Sequence, residues 1–337
     1  MHDKLKFVRL LIMGDFTITE LLTSDMIRRM IAQAFPRQTI ESFEPLTGGL
    51  INTNLKIQFA SKHSPVVLRI YRDGPDACRK EAAVYNLVKS EVPVARIIHA
   101  EPYGLNGSDA FAVLEFVGGV AFQQLKRSED EKAIKQAVRS VGETLAAIGQ
   151  FKFPLSGRLV VKNDQLCVGA PFMAGPNPIP RLMDRFLDSP KCQQRAGAEL
   201  IGKLHKFAWS WVDRLPDLDT QPCLVHSDFG NRNILVNEVS GHWKVVAVLD
   251  WEFSFSGSPL LDVGHFLRYE RGDSPLREPY FSQSFLEHGG YLPDNWWEIV
   301  RIIDLTALVE CLTHDNLPGD VEAELLDLVI ATLTELG

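Results

Sequence analysis

No apolar run in this 337-residue chain approaches the roughly 20 residues needed to span a bilayer, so a membrane is not expected among its partners. Cysteine is scarce and poorly placed for pairing. The five residues (Cys78, Cys167, Cys192, Cys223 and Cys311) are an odd number at wide spacings. That suits neither a disulfide framework nor a zinc site and reads as buried thiols in a reducing compartment. Bases nearly vanish at the C-terminal end. From Glu278 onward twelve acids face one base, Arg301, giving that stretch −11 within a net charge of −8, so the rest of the chain carries +3. A nucleic-acid partner would select the opposite sign and is not expected. Such a skew attracts cations, although a solvated acidic helix face gives the same count. Repeats and low-complexity tracts are missing too. With 45% hydrophobic and 23% charged residues the composition is that of a folded globular protein, long enough for two lobes. The N-terminus (Lys4, Lys6, Arg9, then Leu10–Met13) loosely mimics a signal peptide. Asp15 breaks the apolar stretch and no cleavage site follows, so the cytoplasm is expected, with Met13 as an alternative start.

The most informative segment is residues 223–250. A short apolar run (Cys223, Leu224, Val225) leads to a polar loop with His226, Asp228 and Asn233. A second run (Ile234–Val236), the polar turn Asn237–His242 and a third run (Val245–Leu249) end on Asp250. The pattern predicts a hairpin that delivers Asp228, Asn233 and Asp250 to one end of a small sheet. Two acids and an amide converging in this way suit a magnesium–nucleotide site, because magnesium takes one or two carboxylates plus phosphate oxygens. A hairpin with polar turns is the plainer reading. The offsets of His226-x-Asp228-x-x-x-x-Asn233 are those of the kinase catalytic loop.

On these residues the chain resembles the aminoglycoside phosphotransferase / choline kinase family, whose fold is that of the eukaryotic-like kinases. The resemblance implies an α+β, bilobal protein-kinase-like fold, with an N-terminal antiparallel sheet lobe (1–117) and a mostly helical C-terminal lobe (118–337). It implies that Asp228 orients the acceptor hydroxyl and takes its proton, while Asn233 and Asp250 hold Mg2+. His226 and Asp262 would support the site, Asp262 through the catalytic-loop backbone; a helix N-cap would explain Asp262 equally well.

Upstream, strand, Gly-rich turn and strand follow one another (Ile40–Pro45; Leu46–Asn54 with Gly48 and Gly49; Leu55, Ile57, Phe59), as in a loop that covers phosphates. The pattern matches neither G-x-G-x-x-G nor the P-loop. The strand Val66–Tyr71 carries Arg69, where the family has a cation for the ATP phosphates, and guanidinium is a good phosphate ligand. A helix over 79–89 places Glu81 in its first turn, either paired with Arg69 or complementing the helix dipole. Strands are expected at Val94–His99 and Ala110–Phe116. In similar kinases the link after them offers backbone groups to adenine, making Glu115 and Val117 candidates through their main chain. Helical spacing marks 16–34, 121–148, 196–215, 297–312 and 321–336, with a small hairpin at Leu159–Val168.

After Asp250 stands Trp251-Glu252, where protein kinases have Phe-Gly, and no activation-loop signature follows. This resembles the small-molecule branch. Glu252, Asp273 and Glu310 are candidates to face the acceptor, and Trp296, Trp297 and Phe285 could give it flat apolar contact, although core packing explains each of the three. The expected function is ATP- and Mg2+-dependent transfer of the γ-phosphate to a hydroxyl of a small cationic molecule such as an aminoglycoside-type antibiotic, by a monomer or homodimer. Open alternatives are a metabolic kinase for choline, ethanolamine, homoserine or a sugar, a kinase acting on protein, and a nucleotide-binding pseudokinase.

Overall fold

The computed structural model describes residues 22–46, 52–105, 107–128, 130–171, 177–215, 218, 221–270 and 277–337. Gly48, Gly49 and Asp273, together with Met13, lie outside the described residues.

The first helix, α1 (Ser24–Ala34), starts where Thr23 accepts the Met26 amide at its hydroxyl, a side-chain N-cap. Its Ile27, Met30 and Ile31 repeat at helical spacing and are buried. They pack on a five-stranded antiparallel sheet in the order β1 (Ile40–Pro45), β2 (Thr53–Phe59), β3 (Val66–Ile70), β5 (Phe111–Glu115), β4 (Ile97–Glu101). In β2, Leu55, Ile57 and Phe59 alternate inward with period two, as a half-buried strand requires. The other face of the sheet is covered by α2 (Pro75–Val88), with Cys78 packed beside Tyr71, Ala110 and Ala112. This helix begins at Pro75 with Asp76 in its first turn. Glu81 therefore sits in the second turn, beyond the reach of the helix-dipole explanation.

The chain leaves the sheet at Glu115, and β6 (Val120–Ala121) pairs with β10 (Ile234–Val239). The predicted single helix over 121–148 is two, α3 (Phe122–Lys126) and α4 (Glu131–Ile148). Ser128 donates its hydroxyl to the Leu125 carbonyl, and Asp130 caps α4 by accepting the Ala133 amide at 3.0 Å. The apolar periodicity runs on through the break because both pieces bury the same side: Phe122 and Leu125, then Ile134, Val138, Val141, Leu145 and Ile148. The small hairpin forms as β7 (Gly157–Lys162) and β8 (Gln165–Val168). Next come α5 (Pro178–Leu187) and α6 (Pro190–Ser210), the latter interrupted at Gly197, whose φ of 73° breaks the helix.

The central segment departs from its reading in one respect. The run Cys223–Val225 (β9) does not join the hairpin. It pairs with β12 (Phe255–Gly257) in a four-stranded sheet ordered β8, β7, β12, β9. The hairpin consists of β10 and β11 (His242–Val248). Its turn places Ser240 and Gly241 at φ 53° and 79°, the twist that two-residue hairpin turns favour. The polar loop 226–233 therefore bridges two different sheets, with Phe229 buried at its middle. The remaining helices are α7 (Leu260–Leu267), α8 (Tyr280–Glu287), α9 (Trp296–Cys311) and α10 (Gly319–Leu336). Helices α4, α7, α8 and the first half of α9 enclose one core, and α5, α6, α10 and the second half of α9 a second. Phe285 belongs to the first, stacked on Phe281 at 5.9 Å, so it packs the core. Gly264 lets α7 lie against α9: a Cβ there would meet the Val300 carbonyl oxygen at 2.6 Å. All five cysteines are unpaired. Among the described residues no helix is long and apolar enough to cross a membrane.

Candidate active site

The loop between β9 and β10 is held from three directions. Asp262, in the first turn of α7, accepts the His226 amide at 2.7 Å and the Ser227 amide at 2.8 Å. This is the backbone support implied by the resemblance; the helix N-cap is Pro259. Burial pushes the Asp262 carboxyl up to about 7, and the two amides work against that shift. His226 accepts the Asp228 amide at Nδ1 (3.2 Å), so its other nitrogen, Nε2, donates to the Leu249 carbonyl (2.8 Å). The ring thereby ties the loop to the last residue before Asp250, and it stacks edge-on against the buried Trp251. Ser227 and Asp250 both adopt left-handed backbone, at φ 76° and 62°, which is uncommon for non-glycine residues.

His226 makes a pH prediction. Burial holds its pKa down to about 4, with the Leu249 carbonyl and Asp250 working against the shift. An unfolded histidine titrates near 6.5. Between these values the unfolded chain binds the additional proton, so this contribution to stability is present above pH 6.5 and lost as pH falls toward 4. Going from pH 7 to pH 5, wild type is expected to lose on the order of 2 kcal/mol more than His226→Asn. Urea unfolding at both pH values checks this, and equal losses in the two proteins would refute it.

Asp228 and Asn233 meet inside the loop. Both are buried, and the Asn233 Nδ2 donates to Asp228 Oδ2 and to the Asp228 carbonyl at 3.0 Å. The amide's Oδ1 is thereby directed away from Asp228. Burial pushes the Asp228 carboxyl well above the usual carboxylate range, and nearby Asp250 adds to this while the Asn233 amide opposes it. The Leu249 amide donates to the Asn233 carbonyl at 2.8 Å, so the end of β11 leading to Asp250 meets the loop beside Asn233.

Arg69 connects this region to the sheet. Its Nε donates to Asn54 Oδ1 at 3.0 Å, Nη1 to Glu81 and Nη2 to Asp250. Glu81 is buried, and its second oxygen accepts the Tyr71 hydroxyl at 2.6 Å. Burial opposes the Arg69 charge, but Glu81 and Asp250 outweigh it and hold the guanidinium protonated. Arg69 is only 6% exposed, so it is not a surface arginine. Glu252 accepts Asn52 Nδ2 at 2.8 Å; burial, then Asp250, pushes its carboxyl up to about 7. Lys80, on α2, is lowered to about 8 by burial with Glu252 opposing.

The other sequence candidates fall differently. Glu115 closes β5 with its amide donating to the Arg96 carbonyl at 2.9 Å, and Val117 lies in the link to β6. Glu310 is buried in α9 at 3% exposure. Several C-terminal acids are engaged by the protein's own side chains. Asp304 holds Arg268, Glu335 accepts from Arg301 and from the Trp297 indole, and Glu322 pairs with Arg195. Asp304 alone among these three is buried. Four site residues went unread in the sequence: Asn52, Asn54, Tyr71 and His265. Tyr71 was legible, since it lies two residues after Arg69 and so shares its side of the strand.

The donor set fits magnesium in company with a nucleotide. One carboxylate (Asp250) and one amide oxygen (Asn233) are too few for a cage made of protein alone. Among the described residues no cluster of three or more His, Cys, Asp or Glu could hold a metal by itself. Magnesium ordinarily completes its shell with phosphate oxygens and water.

Comparison with known proteins bears on the fold and the family. A ternary complex of a thermostable mutant of aminoglycoside phosphotransferase APH(4)-Ia with ADP and hygromycin B is similar in fold, with TM-score 0.64 and 17% identity over 91% of this chain and 98% of that one. The GDP complex of a mutant aminoglycoside 2′-phosphotransferase IIIa is similar at TM-score 0.64 and 18% identity, covering 93% and 96%. The fold is thus bilobal and protein-kinase-like. Among curated proteins, acyl-CoA dehydrogenase family member 11 of Mus musculus is 30% identical over 105 residues, 31% of this chain and 12% of that protein. The Gallus gallus protein of the same name is 28% identical over 160 residues, 47% of this chain. The aligned stretches span only 12% and 18% of the lengths of these relatives. The model of the phosphotransferase enzyme family APH matches residues 42–295, and the chain belongs to that family.

Proposed function

We propose that the chain transfers the γ-phosphate of ATP to a hydroxyl of a small molecule, with Asp228 as the base that aligns the hydroxyl and takes its proton. The observation that carries this reading is the bridge made by Arg69, which joins the buried Glu81 on α2 to the half-buried Asp250 at the end of the hairpin, 181 positions away. The nucleotide would lie between the sheet lobe (1–117) and the helical lobe (118–337), with the loop of Gly48 and Gly49 over its phosphates and the main chain of Glu115 and Val117 at adenine. Arg69 would turn from Asp250 toward phosphate oxygens, and Asp250 and Asn233 would hold magnesium. Magnesium, when bound, would neutralise charge on the phosphates. The loose transition state of phosphoryl transfer asks for positioning and charge neutralisation, which these residues offer.

The acceptor is proposed to be a hydroxylated small molecule of aminoglycoside or amino-alcohol type. Glu252 and Lys80, beside the bridge, are the charged groups nearest to hand; the C-terminal acids Asp304, Glu322 and Glu335 are engaged by arginines and contribute less than their number suggests. One finding favours a second acceptor class. The curated relatives are named for acyl-CoA dehydrogenation, which adds a hydroxylated acyl thioester to the candidates. The test is ADP release measured across aminoglycosides, other hydroxylated antibiotics, choline-like amines, homoserine and hydroxyacyl thioesters. Release is expected with one class, is abolished by chelating magnesium, and is slowed at least ~10²-fold in Asp228→Ala. Thermal stabilisation by ATP with no acceptor-dependent release would identify a nucleotide-binding interaction module instead.

A further inference from the structure

His265 stands one helical turn after Asp262 on α7, so both side chains leave the same face of the helix. Asp262 binds the catalytic-loop amides. His265 reaches past it: Nδ1 lies 3.4 Å from the Ser227 carbonyl oxygen and Nε2 lies 3.6 Å from Asp228 Oδ1. The loop makes room for this. A Cβ on Gly230 would come within 3.1 Å of His265 Nε2 and 4.0 Å of Asp228 Oδ1, so a bare backbone at 230 is what admits the ring. Asp228 Oδ2, the other carboxylate oxygen, is already held by Asn233.

Both ring nitrogens therefore face oxygen acceptors. The charged and titratable groups around the ring are Asp228, His226 on the loop, and Arg268 one turn further along α7. Burial, then Arg268, keeps the imidazole neutral, which leaves one ring proton for two acceptors. A carboxylate is the stronger competitor, since charge-assisted hydrogen bonds are roughly twice as strong as neutral ones.

We propose that His265 is a positioning residue for Asp228: its Nε2–H holds Oδ1 as Asn233 holds Oδ2, fixing the plane in which the carboxylate meets the acceptor hydroxyl. Each carboxylate oxygen keeps a further lone pair for that hydroxyl. The 3.6 Å separation closes with a small movement of the ring, in the way catalytic hydrogen bonds tighten when substrate binds. The proposal rests on the reading of Asp228 as the base, and it adds a residue outside the kinase-like motif.

The contact is tested on the full chain without any acceptor. Long-range 1H–15N spectra, with His265 assigned by its loss in His265→Gln, are expected to show the ring protonated at Nε2 and its resonances displaced by Asp228→Ala and by Gly230→Ala. A ring protonated at Nδ1, or one that Asp228→Ala leaves undisturbed, overturns the proposal. With an acceptor from the screen, His265→Leu is expected to lower kcat about 10- to 100-fold, as small misplacements of reacting groups do. The KM for ATP should stay within about twofold, and His265→Gln, which keeps an N–H donor, should recover most of the loss. Equal kcat loss in the Leu and Gln variants, or a loss confined to KM or to the melting temperature, overturns it as well. Undiminished turnover in Asp228→Ala would remove the base reading, while the spectra still decide the contact.

Discussion

Asp228→Ala is expected to bind ATP about as well as wild type and to turn over at least ~10²–10⁴-fold more slowly, the range typical of a lost general base. The carboxylate is built into the protein at both ends. Its main-chain amide is committed to His226 Nδ1 and its Oδ2 to Asn233, so the side chain has little freedom to be replaced by water. Burial and Asp250 raise its pKa, which brings a carboxylate closer to the basicity at which proton acceptance from a hydroxyl is efficient. The alanine variant also releases the Asn233 amide, and Asp228→Asn separates the two effects. It keeps the size of the side chain and an oxygen for Asn233 Nδ2 while removing the base. Both variants should be slow, with the KM for ATP changed by no more than a few-fold. Near-normal kcat in Asp228→Asn, with the protein folded, would falsify the assignment. Because the base must be ionised to work, wild-type activity is expected to climb with pH up to the raised pKa of this carboxyl.

Much of this site was legible because its signals are local. The offsets His226, Asp228 and Asn233 lie within one loop, Asp250 ends the strand that the same hairpin returns, and Arg69 is a cation inside an otherwise apolar strand. Such patterns survive in a single sequence because the backbone period fixes which side chains lie together. What was not legible depends on distant partners. The run at 223–225 looks like the first arm of a hairpin, yet its backbone pairs with 255–257, and nothing in its composition distinguishes the two. Glu81 was placed in a first turn because its helix was read from Arg79, whereas Pro75 opens the helix a turn earlier, in keeping with the preference of proline for the first helical positions. His265 was missed because the segment after Asp250 was read for Asp262 alone; its significance comes from a glycine 35 residues earlier in the chain.

The acidic C-terminal stretch is the clearest case of a local count misleading. Twelve acids against one base suggest a surface that collects cations. Three of those acids are met by arginines: Glu322 by Arg195, Asp304 by Arg268, Glu335 by Arg301. Two of these arginines come from earlier parts of the chain, where the positive excess is. The skew is therefore partly a division of labour between segments that fold together. This weakens the case for a polycationic acceptor without touching the case for phosphoryl transfer.

Asp304→Ala should be the most destabilising of the substitutions considered, by about 3–5 kcal/mol, the usual cost of stranding one partner of a buried ion pair. Arg268 donates through Nε to both carboxylate oxygens of Asp304, at 3.1 and 3.0 Å, and through Nη2 to Oδ1 at 2.7 Å. Both residues are buried. Burial alone would drive Arg268 toward losing its proton, and Asp304 more than reverses this. Taking the carboxylate away leaves a desolvated guanidinium between α7 and α9, close to His265 and within the field of Asp228. The same arginine's carbonyl oxygen accepts from Arg301, which in turn donates to Thr332 and Glu335 of α10. The loss should therefore spread to the packing of the last helix. Denaturant unfolding of the single variant measures the cost. The double variant Arg268→Met with Asp304→Leu supplies the contrast: with both charges gone it should recover most of the stability, because hydrophobic replacements of buried pairs are often neutral or better. If the double variant is as unstable as Asp304→Ala alone, the cost arises from packing at α9 and the stranded-charge account is wrong. If it is stable yet slow, Arg268 also serves the field around Asp228, and the pair links the acidic C-terminal helices to the chemistry through Arg268 while leaving the acceptor pocket to other residues.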